Sequence, residues 1–514
     1  MSPFEPTEQP EPMHATRKNT IVTTLREAAD TRPVIDWLHE LTAMLGKGQT
    51  LTTLPDLWVY ARDRAPFATY HVRGSVLPAT LPTAVVCPHT YEELQAVVRF
   101  ARMKRIPLIP YGAGSGVLGG TLPLENELMV DLKHFNRILD LDQVNGTVTV
   151  QAGMNGGQFE EALNERGYTC GHLPQSIYMS TVGGWAACRG AGQNSTRFGK
   201  IEDIVIGLSA VLPDGSNLTV RPVARRAVGP SIKDILIGSE GSFGILIELT
   251  LRIWRLPQRR EGVVLAFPTL QMGLDALRMT MQAELRPAVA RFYDLEESSQ
   301  RTKGLPEFAQ RPYLAILEFS GSPRMVETER DLTLEIVAAN DGVRAAAAPY
   351  EHWLAHRFES YSPQWQARGY YMDTIEVTGP WSQLPAMYER IRSEVLALGD
   401  NIHFGTHFSH IYPEGACQYM TIRLPPMPLT DGMLLHQLAW DKAQRICLEL
   451  GGSISHHHGV GLLRNRWMPL ELGSGLAMLQ GLKDHLDPDN LFVPGKLGLR
   501  SRPGALDIEA RRQG

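Results

Sequence analysis

Two glycine-rich blocks, each following an apolar run that predicts a buried strand, constrain the fold of this chain most strongly. The first reads LIPYGAGSGVLGG over residues 108–120, and the second reads SEGSFGI over residues 239–245. Glycines at Gly112, Gly114 and Gly116 permit positive backbone φ and let N–H groups come close to a phosphate. A surface turn can have the same composition, but two such blocks in one chain favour a site for a dinucleotide pyrophosphate.

Length and charge limit the classes of protein to which the chain can belong. With 514 residues it exceeds one ordinary core, so two or three domains are expected. A net charge of −5 argues against a nucleic-acid partner, because phosphates bind basic surfaces. Five scattered cysteines argue against a disulfide or zinc framework, and no apolar run is long enough for a transmembrane segment. We expect a cytoplasmic enzyme, with peripheral membrane attachment and a homodimer left open.

The first domain begins with a strand–helix–strand order. Apolar runs at 84–86 and 106–109 predict strands, and the segment 91–105 between them has helical periodicity. Thr90 is placed to cap this helix, with Glu93 completing a capping box. The first glycine block follows the second strand and not the first, which departs from the Rossmann dinucleotide-binding order.

Five blocks in a fixed order carry a resemblance to a known family. They are PYGAGSG, STVGGW, FGKIEDIV with LPDG, GSEGSFGI and DPDNLFVPGKL, and they extend over residues 81–497. In order and spacing they resemble the vanillyl-alcohol oxidase/p-cresol methylhydroxylase superfamily of FAD enzymes. A finer resemblance, to the alkyldihydroxyacetonephosphate synthases of ether-lipid synthesis, depends on SISHHHGVG at 453–461, GACQY at 415–419 and VARFYD at 289–294.

The resemblance implies an α+β fold with a two-part FAD-binding domain of the PCMH type and an α+β substrate (cap) domain. A change of composition at WRLPQRRE supports a boundary between the two, and the Pro- and Glu-rich start predicts disorder. The predicted division is a disordered lead (1–20), a helical segment (21–76), the FAD-binding domain (77–256), the substrate domain (257–485) and a C-terminal segment that returns to the FAD domain (486–514).

The resemblance also implies FAD as the cofactor, and we expect it to be non-covalent because the phosphate loop contains neither His nor Cys. Lys496 can be a surface lysine after a turn, but near the flavin its charge would stabilise the reduced ring. The residues implied to bind the cofactor are Pro110, Tyr111, Gly112, Ala113, Gly114, Ser115, Gly116, Pro174, Ser176, Ser180, Gly183, Gly184, Arg189, Gly190, Glu240, Gly241, Gly244, Ile245 and Lys496.

Three adjacent histidines, His456, His457 and His458, suggest a metal site at first sight. In an extended segment alternate side chains point to opposite faces, so His456 and His458 would share a site while His457 pointed away. We therefore interpret the triplet as catalytic acid/base or substrate-binding residues and predict no metal ion. A second group of histidines in HFGTHFSH (403–410) is equally compatible with a polar loop or with buried structural histidines.

Tyr419 lies in an alternating segment, with Cys417 and Thr421 on the same face, which predicts a strand. The resemblance implies that Tyr419 is an active-site tyrosine, and we expect a neighbouring His or Arg to lower its pKa for proton transfer. Arg291, an arginine that the resemblance marks as important, stands among apolar strand residues. An anionic ligand or a carboxylate partner is therefore expected for it.

Two functions on a small-molecule or lipid-like substrate follow. The resemblance implies exchange of an acyl for an alkyl group on a dihydroxyacetone phosphate ester at flavin N5, with Tyr419 and the histidine triplet moving protons. The alternative is FAD-dependent oxidation of a 2-hydroxy acid or an alcohol. Against the first, Ser362 stands where the family has its second phosphate arginine, with Arg357 and Arg368 nearby. Against the second, HFGTHFSH replaces the GHxGDGN metal motif of the hydroxy-acid branch.

Overall fold

A computed structural model describes residues 35–66, 80–359, 365 and 367–502. The predicted disordered lead, much of the helical segment that follows it, Ser362 and the end of the chain lie outside these residues. Within the described ranges the chain forms the mixed α+β fold that the resemblance implies. Its sheets have four, five, two and seven strands.

The strands of the first half are short and form the three smaller sheets. They are β1 (Thr50–Leu51), β2 (Ala84–Val86), β3 (Leu108–Tyr111), β4 (Leu128–Asp131), β5 (Ile138–Asp142), β6 (Thr147–Gln151), β7 (Tyr168–Thr169), β8 (Val205–Val211), β9 (Asn217–Val220), β10 (Ile245–Arg252) and β11 (Trp254–Arg255). One sheet has the order β1-β2-β4-β3, with β2, β4 and β3 parallel, and the next is antiparallel in the order β5-β6-β10-β8-β9. The first glycine block therefore leaves β3, and the second leads into β10.

The strands of the second half form one antiparallel sheet in the order β15-β12-β14-β13-β17-β18-β16. They are β12 (Arg259–Phe267), β13 (Val289–Tyr293), β14 (Tyr313–Gly321), β15 (Val343–Ala345), β16 (Tyr371–Pro380), β17 (His403–Ile411) and β18 (Gly415–Leu424). One face of this sheet is apolar, with Phe292, Ile375, Phe408 and Met420 buried in the core. Since side chains alternate along a strand, the residues between these positions point to the opposite face.

Helices cover the sheets and fix the ends of the strands. They are α1 (Trp37–Leu45), α2 (Leu54–Tyr60), α3 (Tyr91–Lys104), α4 (Gly156–Asn164), α5 (Val182–Ala187), α6 (Ser195–Phe198), α7 (Ile201–Ile204), α8 (Ile232–Leu236), α9 (Leu270–Gln282), α10 (Leu295–Arg301), α11 (Pro323–Ala339), α12 (Ala348–His356), α13 (Leu384–Leu396), α14 (Leu429–Glu449), α15 (Met468–Leu472) and α16 (Ser474–Leu486). Helix α3 begins with the predicted capping box of Thr90 and Glu93. Among the described residues, no helix has both the length and the apolar character needed to cross a bilayer.

The two halves meet along the polar face of the seven-stranded sheet. Helix α6 contacts β13 and β17, and Ser195 at its start bonds to a histidine of β17. Arg197 of the same helix pairs with Glu329 of α11 at 2.9 Å. The seven-stranded sheet therefore meets the first half of the chain at α6, which lies in sequence between the two glycine blocks.

Candidate active site

The glycine blocks converge in space with the start of α5, at points where a side chain would collide. A Cβ atom at Gly112 would lie 2.5 Å from Thr181 Oγ1. Gly241 has φ +86° and would place a Cβ 3.0 Å from the ring of Pro110. Only glycine gives this backbone shape and this approach. We call these segments, 110–116, 180–184 and 240–245, the cofactor cradle.

Several buried polar atoms in the first half of the chain have no hydrogen-bond partner among the described residues. The Ser242 hydroxyl is one of them and belongs to the cradle, while both ring nitrogens of His172 and the side-chain oxygens of Thr121, Gln193 and Asn194 belong to other segments. Burial holds the pKa of His172 down to about 3, so its imidazole is neutral. Because unpaired buried polar groups are costly, these atoms fit a half of the chain that binds a long polar ligand, and FAD meets that description.

Lys496 approaches the first glycine block from the C-terminal segment. Its Nζ donates to the carbonyl of Gly120 at 2.8 Å and to that of Leu122 at 2.6 Å. The side chain is fully buried, and burial lowers its pKa to about 8. Lys496 thus fastens the end of the chain to the segment that leaves the cradle.

Two other residues of the predicted cofactor set make contacts within the protein. The Ser180 hydroxyl donates to the carbonyl of Ser176 and accepts from Trp185 Nε1, both at 2.8 Å. Arg189 has positive φ and a half-exposed side chain that pairs with Glu202 at 3.5 Å. These side chains support the shape of the cradle.

A row of four functional side chains crosses the seven-stranded sheet. In the strand register Tyr293 stands opposite His407, His407 opposite Tyr419, and Tyr419 opposite Glu376. Directly opposed residues of an antiparallel sheet project to the same face and lie side by side. The His407 ring stacks on Tyr419 with centroids 4.8 Å apart. Tyr419 thus has polar neighbours on β17 and β16, the strands on either side of β18.

A β-bulge brings a second histidine of β17 to the same face. The register shifts between Ser409 and Ile411, and His410 there has φ +50°. A bulge adds one residue and so re-aims the side chain. His410 Nδ1 lies 2.7 Å from Ser195 Oγ, and its ring is stacked 5.0 Å from that of His456.

The histidine triplet does not lie in an extended strand, and the predicted alternation of faces is wrong. Residues 455–461 form an irregular loop in which all three rings turn toward one region. His456 Nδ1 lies 3.0 Å from His457 Nδ1. The ring of His457 stacks on Tyr419 at 5.9 Å, and that of His458 meets the same tyrosine edge-on at 5.5 Å. We call these residues, with His407 and His410, the histidine cluster.

In the described part of the chain the hydrogen-bond partners of Arg291 are neutral side chains, and a carboxylate, one of the two alternatives from the sequence, is not among them. Its Nε donates to the Tyr293 hydroxyl at 2.8 Å, and one terminal nitrogen contacts His407 Nε2 at 2.9 Å. No carboxylate of the described chain forms an ion pair with it. The guanidinium also lies 5.9 Å from the centroid of the Trp353 ring, and that of Arg357 lies 5.6 Å from the same centroid. Arg291 is therefore oriented by neutral groups.

Burial sets the protonation states of the cluster. It lowers the pKa of His407, His456 and His457 well below the ordinary value, and that of His410 to about 3. These imidazoles are neutral at physiological pH. The expectation that the pKa of Tyr419 is lowered is wrong, because burial and the charge of Glu376 raise it to about 12. Tyr419 is therefore a phenol, able to donate a proton.

Two groups of side chains bring ligand atoms close enough together to hold a metal ion. They are His410, His456 and His457, and Glu376, Cys417 and His457, each with its atoms within 4.8 Å of one another. Both ring nitrogens of His456 are already hydrogen-bonded.

Glu376 and Arg464 are not among the residues predicted from the sequence. Both are fully buried, and they form an ion pair at 3.0 Å. Both also contact residues 455–461, which we call the histidine loop. The sequence contains a signal for Glu376, because the segment TIEVT places a carboxylate in an apolar run that predicts a buried strand. Burying this charge costs free energy, as it does for Arg291, and so requires a partner. Arg464 lies in an irregular segment that gives no comparable signal.

Comparison with known proteins agrees with this geometry. The FAD binding domain family matches residues 82–221, and the C-terminal domain of FAD linked oxidases matches residues 256–497. An uncharacterized FAD-linked oxidoreductase, YgcU of Escherichia coli (strain K12), is 33% identical over 480 residues, which are 90% of this chain and 98% of that protein.

Two similarities concern the synthase branch. The alkyldihydroxyacetonephosphate synthase of Dictyostelium discoideum is 29% identical over 448 residues, covering 81% of this chain and 73% of that protein. A solved structure of an alkyldihydroxyacetonephosphate synthase superposes with a TM-score of 0.76 at 23% identity, covering 91% of this chain and 86% of that one. The glycine cradle, the matched domains and these relatives lead to one conclusion: the chain belongs to the family of FAD-linked oxidoreductases and uses FAD as its cofactor.

Proposed function

We propose that this protein catalyses a reaction of the alkyldihydroxyacetonephosphate synthase type, the exchange of an acyl for an alkyl group on a dihydroxyacetone phosphate ester. The observation that carries the proposal is the meeting of Tyr419, His457 and His458 at one point of the polar sheet face. His407 connects this group to Arg291. The similarity to the Dictyostelium synthase supports the same assignment.

The side chains divide the proton transfers between them. FAD, when bound, supplies the electron-accepting ring on which either candidate reaction depends. The neutral imidazoles of His457 and His458 are bases that can take a proton from a substrate carbon. Tyr419 is held as a phenol by its raised pKa, and it can give a proton to the enolate oxygen that forms when the substrate carbon loses its proton, while the fatty acid leaves as a carboxylate. Base and acid thus stand in ring contact.

Arg291 is the anchor for a charged substrate group. Its guanidinium is fixed from two sides by Tyr293 and His407, and within the described chain no carboxylate neutralises it. Arginine binds phosphate and carboxylate with paired N–H donors. We assign it to the phosphate of the substrate.

One observation favours the alternative function, FAD-dependent oxidation of a 2-hydroxy acid or an alcohol. Ser362 replaces the second phosphate arginine that the synthase resemblance implies, so Arg291 alone would suit the single charge of a hydroxy acid. A neutral histidine of the cluster would then take the hydroxyl proton. The relative YgcU is named as an oxidoreductase, in agreement with this reaction class.

Two parallel anaerobic assays separate the two reactions, the first with the synthase substrates and the second with a 2-hydroxy acid or an alcohol alone. The purified holoenzyme is mixed with an acyl dihydroxyacetone phosphate and a long-chain alcohol while the flavin absorption is followed. We expect release of the fatty acid, formation of the ether product and no net loss of oxidised flavin. Lasting bleaching by a 2-hydroxy acid or an alcohol, without ether formation, would establish the oxidoreductase and end the synthase proposal.

A further inference from the structure

Glu376 is a buried carboxylate that the proton transfers described above do not use. Glu376 lies on β16 at the end of the row of side chains that crosses the sheet, opposite Tyr419 of β18. Its side chain is 0% exposed. Burial disfavours the charged form of a carboxylate. The Arg464 guanidinium and two backbone amides outweigh this effect and hold the pKa of Glu376 below its ordinary value.

The carboxylate of Glu376 accepts its hydrogen bonds from the histidine loop itself. Oε2 accepts from the backbone N–H of His456, and Oε1 accepts from that of His458 at 3.0 Å. Oε1 also accepts from the Ser455 hydroxyl at 2.9 Å. The two amides flank His457, so one carboxylate fixes the backbone on both sides of the central histidine.

The loop belongs to no helix or strand, so its amides lack the regular partners that secondary structure supplies. Two of its carbonyls are held by cations, because Lys200 donates to that of His456 and Arg464 donates to that of Gly459 at 2.8 Å. At its far end the Glu240 carboxylate accepts from the N–H groups of Val460 and Gly461, at 2.6 and 2.9 Å. Glu376 secures the histidines, and Glu240 secures the glycine end against the cofactor cradle.

We propose that Glu376 is a positioning residue, which fixes the backbone of His456 and His458 and so holds His457 and His458 against Tyr419. Its effect on turnover rests on the proposed function, but its effect on the loop does not. Glu376 acts through the loop and touches no reacting atom.

Two variants distinguish the effect of the charge of Glu376 from the effect of its side-chain length. Glu376→Gln keeps the length but removes the charge and replaces one accepting oxygen by an amide donor. Glu376→Asp keeps the charge but is one methylene shorter, so its oxygens no longer reach both amides. Glu261→Gln is the matched control, because Glu261 pairs with Arg259 and Arg330 on β12 and α11, away from the loop.

The first measurement is hydrogen exchange, read by mass spectrometry in a peptide covering 455–461 of the holoenzyme. We expect exchange of the His456 and His458 amides to become at least about tenfold faster in both Glu376 variants, since each amide loses its buried acceptor. Glu261→Gln leaves this peptide unchanged. Wild-type exchange in Glu376→Asp would overturn the proposal, because the residue would then act only as a counterion for Arg464.

The second measurement is steady-state turnover. We expect kcat to fall about 100-fold in both variants, the usual effect of a misplacement of about 1 Å at catalytic groups, while KM stays within about threefold. A rise of KM at unchanged kcat would overturn the positioning role. If the wild-type enzyme forms neither product, the proposed function fails alone, and hydrogen exchange still decides the role of Glu376.

Discussion

The cofactor cradle and the histidine cluster are built in opposite ways. The cradle is made of backbone, at glycines such as Gly112 and Gly183 where a Cβ would meet Thr181 or Ala152 at 2.5–2.6 Å. The cluster is made of side chains, and Tyr419 meets His407 only because β17 and β18 pair in one register. The first therefore tolerates no added atom, whereas the second depends on which functional group stands at each position.

The difference predicts that the two regions fail separately. A change in the cradle displaces the backbone and releases the cofactor, while a change in the cluster removes a proton donor or acceptor and leaves the cofactor bound. Glu240 is where the two regions are joined, because its carboxylate belongs to the cradle and accepts from the N–H groups of Val460 and Gly461 at the end of the histidine loop.

The broadest effect is expected from Gly183→Ala, because the loss of FAD removes the cofactor on which either reaction depends. A Cβ at Gly183 would lie 2.6 Å from Ala152 Cβ and 2.8 Å from the Ala152 carbonyl oxygen, so α5 must move away from β6. Overpacking of this kind costs about 1–3 kcal/mol, and the FAD content should fall roughly tenfold or more. The ratio of flavin to protein absorption measures it. Gly475→Ala in α16 is the control, since its nearest neighbour is 3.8 Å away. Full occupancy in Gly183→Ala would disprove the close-packed cradle.

The next effect is expected from Tyr419→Phe. The phenyl ring can still stack between His407 and His457, but the proton donor is gone, so kcat should fall roughly 100-fold or more while FAD stays bound. Tyr371→Phe is the control, because that hydroxyl donates to the carbonyl of Met427 on the other face of the sheet. Unchanged turnover in Tyr419→Phe would exclude the tyrosine as the acid.

The cradle could be proposed from the sequence because each of its three segments is a short continuous run whose glycines have a local meaning. The cluster could be predicted only in part. Tyr419 and the triplet stand in recognisable segments, but the stacking of Tyr419 on His407 depends on strand register, and His410 joins the cluster through a bulge that no local pattern announces. The prediction that the histidine triplet lies in an extended segment is wrong, because hydrogen bonds to the buried carboxylates Glu376 and Glu240 fix residues 455–461 in an irregular loop.

A smaller effect concerns stability at acid pH. Burial lowers the pKa of His410 to about 3, whereas in the unfolded chain it is about 6.5. Between these values the unfolded state binds a proton that the folded state does not, so the free energy of unfolding falls as the pH falls, by about 1.4 kcal/mol per unit for this group. His410→Asn should remove that part of the slope in urea denaturation from pH 7 to 4.

The control for this measurement is His39→Asn on the exposed side of α1, which should keep the wild-type slope. An unchanged slope in His410→Asn would mean that the folded protein protonates this histidine as readily as the unfolded chain does. The cluster would then be open to water, and its bases would be lost at mildly acid pH.

The smallest effect is expected from removal of metal ions. His410, His456 and His457 have the spacing of a metal site, but Lys200 donates to the His456 carbonyl, and its charge disfavours a further cation beside these rings. Dialysis against a chelator should therefore change turnover and FAD content by less than about twofold, since the rings are used as bases. Elemental analysis would show whether the protein instead binds a metal ion that its activity requires. One bound metal per chain, lost together with activity, would make the histidine cluster a second prosthetic site and turn its histidines from bases into ligands.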